Sequence, residues 1–103
     1  MYKLTVFIPD SALESVKAAL FAAGAGSIGN YEQCCWQVQG MGQFMPTAGS
    51  NPHIGAQDTL EQVNEWRIEM VVKKSIIQEV IDALKQAHPY ETPAYDVIEV
   101  LDF

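Results

Sequence analysis

The chain has 103 residues, 49% of them hydrophobic, and a formal net charge of −7 with only six Lys and Arg. That length suits one domain with one core, and the apolar fraction argues against a disordered chain. The acidic balance with scattered basic residues speaks against an electrostatic grip on nucleic acid or an anionic membrane, and no apolar run approaches a membrane span.

Tyr2 to Ile8 alternates, with Tyr2, Leu4, Val6 and Ile8 on one side and Lys3, Thr5 and Phe7 on the other, which predicts a first strand. Ser11 and Glu14 have capping-box spacing, and Leu13, Val16 and Leu20 with Ala12, Ala19 and Ala23 form a helical stripe that Gly24 and Gly26 end. A second strand is expected over Tyr31 to Val38, with Cys34, Trp36 and Val38 on one face and Gln33, Gln37 and Gln39 on the other, broken by Gly40 and Gly42. A long Gly- and Pro-rich loop follows, Gly40 to Gln57. In the third strand, Asn64 to Val72, Trp66, Ile68, Met70 and Val72 alternate with Glu65, Arg67 and Glu69. Ser75 and Gln78 repeat the capping-box spacing before a second amphipathic helix of Ile77, Val80, Ile81 and Leu84, backed by Ala83 and Ala87 and ended by Pro89. The last strand is expected over Tyr95 to Leu101. The order β-α-β-β-α-β is the ferredoxin-like pattern, an α+β sandwich with both helices on one face of a four-stranded antiparallel sheet. Its open face, offering Phe7, Val71, Val97, Glu99 and Leu101, would be covered by another subunit or by the long loop.

Three segments are candidates for function. The Gly40–Gln57 loop carries Gly42, Phe44, Pro46, His53 and further rigid or apolar residues, so it reads either as an arm packing on a neighbouring subunit or as a ligand loop. It lacks a Gly-Lys-Ser/Thr ending, which excludes a P-loop. The segment from His88 through Tyr90 and Glu91 to Tyr95 reads as a rigid corner with a histidine capping the negative helix end. Alternatively, His88 and Glu91 could ligate a divalent metal if folding added Cys34 or His53, because two ligands do not make a site. The adjacent Cys34 and Cys35 point to opposite faces of an extended strand, so they are not expected to pair, which suits a reducing, cytoplasmic setting. No base and oxyanion pocket accompany them in the sequence, so a buried inert Cys34 on the core face is expected and no catalytic residues are assigned. Glu65 and Glu69 flank Arg67 and read as a solvated face. No basic segment precedes a long apolar one at the N-terminus, so no signal peptide is expected.

Four stretches carry a family resemblance: Gly24-Ala-Gly-Ser-Ile-Gly-Asn-Tyr31 with Cys34, Gly40-Met-Gly-Gln-Phe-Met-Pro46 with Gly49, Pro52 and Gly55, Leu60 to Glu69, and His88-Pro-Tyr-Glu-Thr-Pro-Ala-Tyr-Asp-Val97. Together they resemble the small PII-like domain inserted in the NGG1-interacting-factor family, dinuclear-metal proteins called GTP cyclohydrolase type 2 homologues. The His-Pro-Tyr-Glu-x-Pro corner is also similar to one in the CutA divalent-cation tolerance proteins, which are PII-like trimers. The resemblance implies a free-standing PII/CutA-like module, a homo-oligomer with a trimer favoured, and ligands near loops at the subunit boundary. It places the family's metal ligands in a flanking domain, so it implies no enzymatic activity here. The ligand-binding candidates it adds to the loop and corner residues are Tyr31 and Cys34. Asp58 stands where the family commonly has a loop glycine, and its charge disfavours an anion-binding loop. The combined expectation is a non-enzymatic binding or regulatory module with no certain cofactor, a divalent metal as the alternative ligand, and room for an unidentified protein partner.

Overall fold

In the computed structural model, which describes residues 1–103, the elements run β1 (Tyr2–Pro9), α1 (Leu13–Ala22), β2 (Trp36–Phe44), β3 (Glu61–Val72), α2 (Ile77–Ala87) and β4 (Tyr95–Glu99). The sheet is four-stranded and antiparallel, in the order β2-β3-β1-β4. Leu4, Val6 and Ile8 of β1 and Ile68, Met70 and Val72 of β3 all point to one face. There they meet Leu13, Val16 and Leu20 of α1 and Val80 and Leu84 of α2 in the buried core. Period-2 apolar residues in the strands and period-3.6 residues in the helices thus close on each other, the ferredoxin-like α+β sandwich expected from the element order.

Each helix is preceded by a single 3-10 turn, Asp10–Ala12 before α1 and Lys74–Ile76 before α2. The expected capping boxes at Ser11 and Ser75 are not made, because each serine lies inside its 3-10 turn. The N-cap positions are instead Ala12 and Ile76, with no side-chain cap. The two helix starts match closely, with Ala12 at φ −110, ψ 3 and Ile76 at φ −121, ψ 7, so the halves repeat in backbone though not in sequence. At its far end α2 stops where His88 turns extended, at φ −70 and ψ 132, ahead of Pro89.

The second strand begins later and runs further than the sequence pattern predicts. Gly24, Gly26, Gly29 and Gln33 all adopt positive φ, and the turns they form are tied down by Gly26 N–H to the Val71 carbonyl at 2.8 Å and Cys34 N–H to the Gly26 carbonyl at 2.8 Å. The chain is free to pair only from Trp36. Cys34 therefore precedes the strand and is not on its core face. Cys35, one residue on, is the thiol that packs against the core. Trp36, Val38, Gly40, Gly42 and Phe44 lie opposite Glu69, Arg67, Glu65, Val63 and Glu61, all on the open face. Gly40 and Gly42 do not break β2, because glycine keeps the backbone N–H and C=O with which the strand pairs to β3. The last strand also differs from expectation. Val97 pairs with Leu4 and faces the helices, whereas Asp96 and Ile98 lie on the open face beside Thr5 and Lys3.

Residues 61–64 of β3 pair with β2 alone, since β1 meets β3 only from Glu65 onward. The hairpin thus projects past the sheet, and the molecule measures 46 × 24 × 24 Å. No helix is long and apolar enough to cross a membrane.

Candidate site around Tyr90

Residues 45–60 at the tip of the hairpin fold back onto the corner between α2 and β4. Pro46 is buried, its carbonyl accepts the Asp58 N–H at 2.7 Å, and the Asn51 N–H donates to Glu91 Oε2 at 3.0 Å. Asp58 has φ 61, the left-handed region that glycine occupies without steric cost, which accounts for a glycine-like position in this loop. Between loop and corner lies a cleft of about 250 Å³, lined among others by Phe44, Pro46, His53, Glu65, Tyr90 and Glu91.

Tyr90 is the centre of this arrangement. Its ring lies 5.9 Å from that of Phe44, 6.4 Å from His53 and 4.9 Å from His88, all tilted pairs. Its hydroxyl donates to Glu65 Oε2 at 2.8 Å. Burial raises the Tyr90 phenol well above its ordinary range, and the hydrogen bond to Glu65 and that carboxylate's charge raise it further. Glu65 reaches Tyr90 across the open face of β2, where Gly42 has no side chain. A methyl group at Gly42 would collide with the Glu65 carboxylate.

His88 supports the site from beneath and does not present a free nitrogen to it. It is 5% exposed, its Nε2 lies 2.8 Å from the Phe7 carbonyl, and its Nδ1 accepts the Tyr90 N–H at 3.1 Å. That pattern requires a neutral ring with the proton on Nε2. Burial lowers the His88 pKa, only partly opposed by the Phe7 hydrogen bond. The expected cationic cap is therefore a neutral clamp between β1 and the corner. The expected metal set is not assembled either: both His88 nitrogens are engaged, and no three His, Cys, Asp or Glu side chains are grouped to hold an ion.

The remaining candidates divide by position. Gly42, Phe44, Pro46, His53, Tyr90 and Glu91 come together at the cleft, with His88 behind Tyr90. Tyr31 and Cys34 precede the opposite end of β2, about 25–30 Å of strand away from Phe44. Tyr31 is exposed and forms a two-way backbone bridge with Ile28. Near it a second cleft, about 350 Å³, runs along the end of α1. It is the larger of the two, yet Glu32 is its only ionisable lining residue, so the smaller cleft holds more chemistry. Glu69 keeps the solvated role expected of it, paired with Arg67 at 2.6 Å and Lys3 at 3.7 Å. Glu65, two strand steps before Arg67, does not. The signal that could have found it is the facing of Glu65 by Gly40, with Gly42 on the diagonal.

No protein-family model matches the chain. It is 46% identical over 97 residues to the "GTP cyclohydrolase 1 type 2 homolog" of Halalkalibacterium halodurans, covering 94% of this chain and 26% of that protein. The chain thus spans about a quarter of the length of the curated relatives it matches. Among solved structures, a Bacillus cereus protein related to NIF3 superposes with a TM-score of 0.79 at 44% identity, over 93% of this chain and 24% of that one. CutA1 from Pyrococcus horikoshii superposes over 100% of this chain and 86% of its own, with a TM-score of 0.71 at 18% identity, a likeness of fold alone. The chain thus has a CutA-like fold and is similar in sequence to about a quarter of the length of the GTP cyclohydrolase 1 type 2 homologs and of the NIF3-related protein.

Proposed function

We propose that this domain is a non-enzymatic binding or regulatory module that works as a homo-oligomer. The observation that carries the reading is the Tyr90 cleft. A folded loop closes over an aromatic corner whose ionisable groups hold one another or the backbone: Tyr90 on Glu65, His88 on Phe7, Glu91 on Asn51. Among the lining hydroxyls, Ser50 Oγ donates to the Thr47 carbonyl at 2.7 Å and Tyr90 to Glu65, and neither is hydrogen-bonded to the His53 ring, so the nucleophile–histidine pair that covalent chemistry uses is not made here. Self-association is supported by the open face, where Trp36, Val38 and Ile98 are exposed. The CutA-like fold supports a closed ring, with a trimer favoured. Native mass spectrometry of untagged protein tests both halves. The expected spectrum is a closed oligomer that retains a defined small mass. A bare monomer that binds no compound in subsequent ligand screens would refute the proposal.

A further inference from the structure

We infer that the Tyr90 cleft takes a small organic ammonium cation, an inference that rests on the binding-module reading. Of its thirteen lining residues none is Lys or Arg, while Glu65 and Glu91 are both present. Each carboxylate has one oxygen fixed from within, Glu65 Oε2 by the Tyr90 hydroxyl and Glu91 Oε2 by the Asn51 N–H. The second oxygen of each makes no hydrogen bond, and none of the four ion pairs of the chain involves either residue. Two carboxylates thus share a cleft without a counter-charge, in a chain already at −7. The cleft walls add to the preference. Phe44 and Tyr90 both line the cleft with their rings 5.9 Å apart, and the faces of such rings attract a cation through their quadrupoles.

The same features disfavour the competing ligand classes. A nucleotide would bring phosphates against two carboxylates with no Lys or Arg to hold them, so the GTP in the relatives' name is a poor match for this cleft. A divalent metal requires several oxygen ligands converging at short range, and no such group exists. An ammonium group needs less: two acceptor oxygens and a ring face. The volume, about 250 Å³, lies just under the usual range of small-molecule sites and suits a compact amine with an apolar body.

The test uses three probes that share one body and differ in charge: phenethylamine, phenethyl alcohol and phenylacetate. Each is titrated into the full chain by calorimetry and by NMR of the Tyr90 and His53 rings. The amine is expected to bind at least about tenfold more tightly than the alcohol, with phenylacetate weakest, and added salt should weaken only the amine. Glu91→Gln, at an exposed position, and Glu65→Gln, which can still accept from Tyr90, should each reduce amine affinity severalfold and leave the alcohol unchanged. Thermal melts check that both variants are folded. Equal or tighter binding of the alcohol or phenylacetate would overturn the cation preference, as would failure of all three to perturb the cleft rings. Displacement of the amine by manganese chloride with tighter, saturable binding would overturn it in favour of a metal. A neutral or anionic mass retained in the native spectrum would remove the cation class while leaving the binding module standing.

Discussion

Gly42→Ala is the sharpest probe of how the cleft is built. A Cβ at this position would overlap the Glu65 carboxylate and lie 3.2 Å from its Cγ, so the flexible side chain must swing away. The swing breaks the 2.8 Å bond from the Tyr90 hydroxyl. A hydrogen bond to a charged acceptor contributes roughly 1.5–3 kcal/mol, and water reaching this half-buried site holds the loss near the lower figure. Replacing a strand-interior glycine by alanine returns about 0.5–1 kcal/mol. The net cost is therefore about 0.5–1 kcal/mol, or a fall of roughly 2–6 °C in melting temperature for a domain of this size. Tyr90 ionisation, followed by NMR of ring-labelled tyrosine, is the more specific readout. In the variant the phenol pKa should drop toward its ordinary value of 10.0 but remain above it, because burial is the larger cause of the elevation. The sign for stability follows: a phenol raised in the folded state contributes stability that is complete below 10.0 and is lost as pH rises beyond it, since the unfolded chain gives up the proton first. The variant should lose less over that alkaline window. In a Tyr90→Phe background the same Gly42→Ala change should become neutral or stabilising. An unaltered Tyr90 titration with a full melting-temperature loss would refute this account of the glycine.

Gly26→Ala should cost at least about 2–3 kcal/mol in urea melts, because it combines a positive φ of 79 with a Cβ 2.7 Å from the Cys34 carbonyl. Gly29→Ala, at φ 55 with nothing within 4 Å, should cost only about 1 kcal/mol. Equal costs at the two positions would show that close approach is not the reason for Gly26. His88→Ala should destabilise by roughly 2–4 kcal/mol, since it leaves the Phe7 carbonyl and the Tyr90 N–H without partners, and should leave metal content unchanged. With the folded pKa of His88 lowered, its contribution is complete above the ordinary value of 6.5 and is lost as pH falls below it, so the variant should show a flatter acid limb in stability-versus-pH measurements. Trp36→Glu places a charge on the open face without touching the core, so sedimentation should show a smaller species with an unchanged far-ultraviolet spectrum. An intact oligomer would move the interface elsewhere.

The glycines of β2 show where sequence reasoning met its limit. A glycine in a strand carries no packing information, so Gly40 and Gly42 looked like punctuation after Val38. The role of Gly42 depends on register: the pairing of Gly40 with Glu65 sets Gly42 on the diagonal, and there the missing side chain makes room for the carboxylate, whereas a Cβ at Gly40 would meet nothing. Likewise Ser11 and Ser75 have the right spacing for caps, but the preceding 3-10 turns move the helix starts past them. Val97 and Ile98 are equally apolar, and only the ladder to β1 decides which faces the helices.

What the sequence determines by itself is the periodicity: alternation in Tyr2–Ile8 and Trp66–Val72, helical stripes at Leu13–Leu20 and Ile77–Leu84, and the glycines and prolines between them. Those patterns set the element order and the core, because local spacing alone fixes which side of each element is apolar. The tertiary structure decides the rest. The Tyr90 cleft joins residues 42–54, 65 and 88–94, which are far apart in the chain. The neutrality of His88 depends on a β1 carbonyl that only folding brings to its ring. Contacts of that kind depend on strand register and burial, and neither is a property of any one segment of the chain.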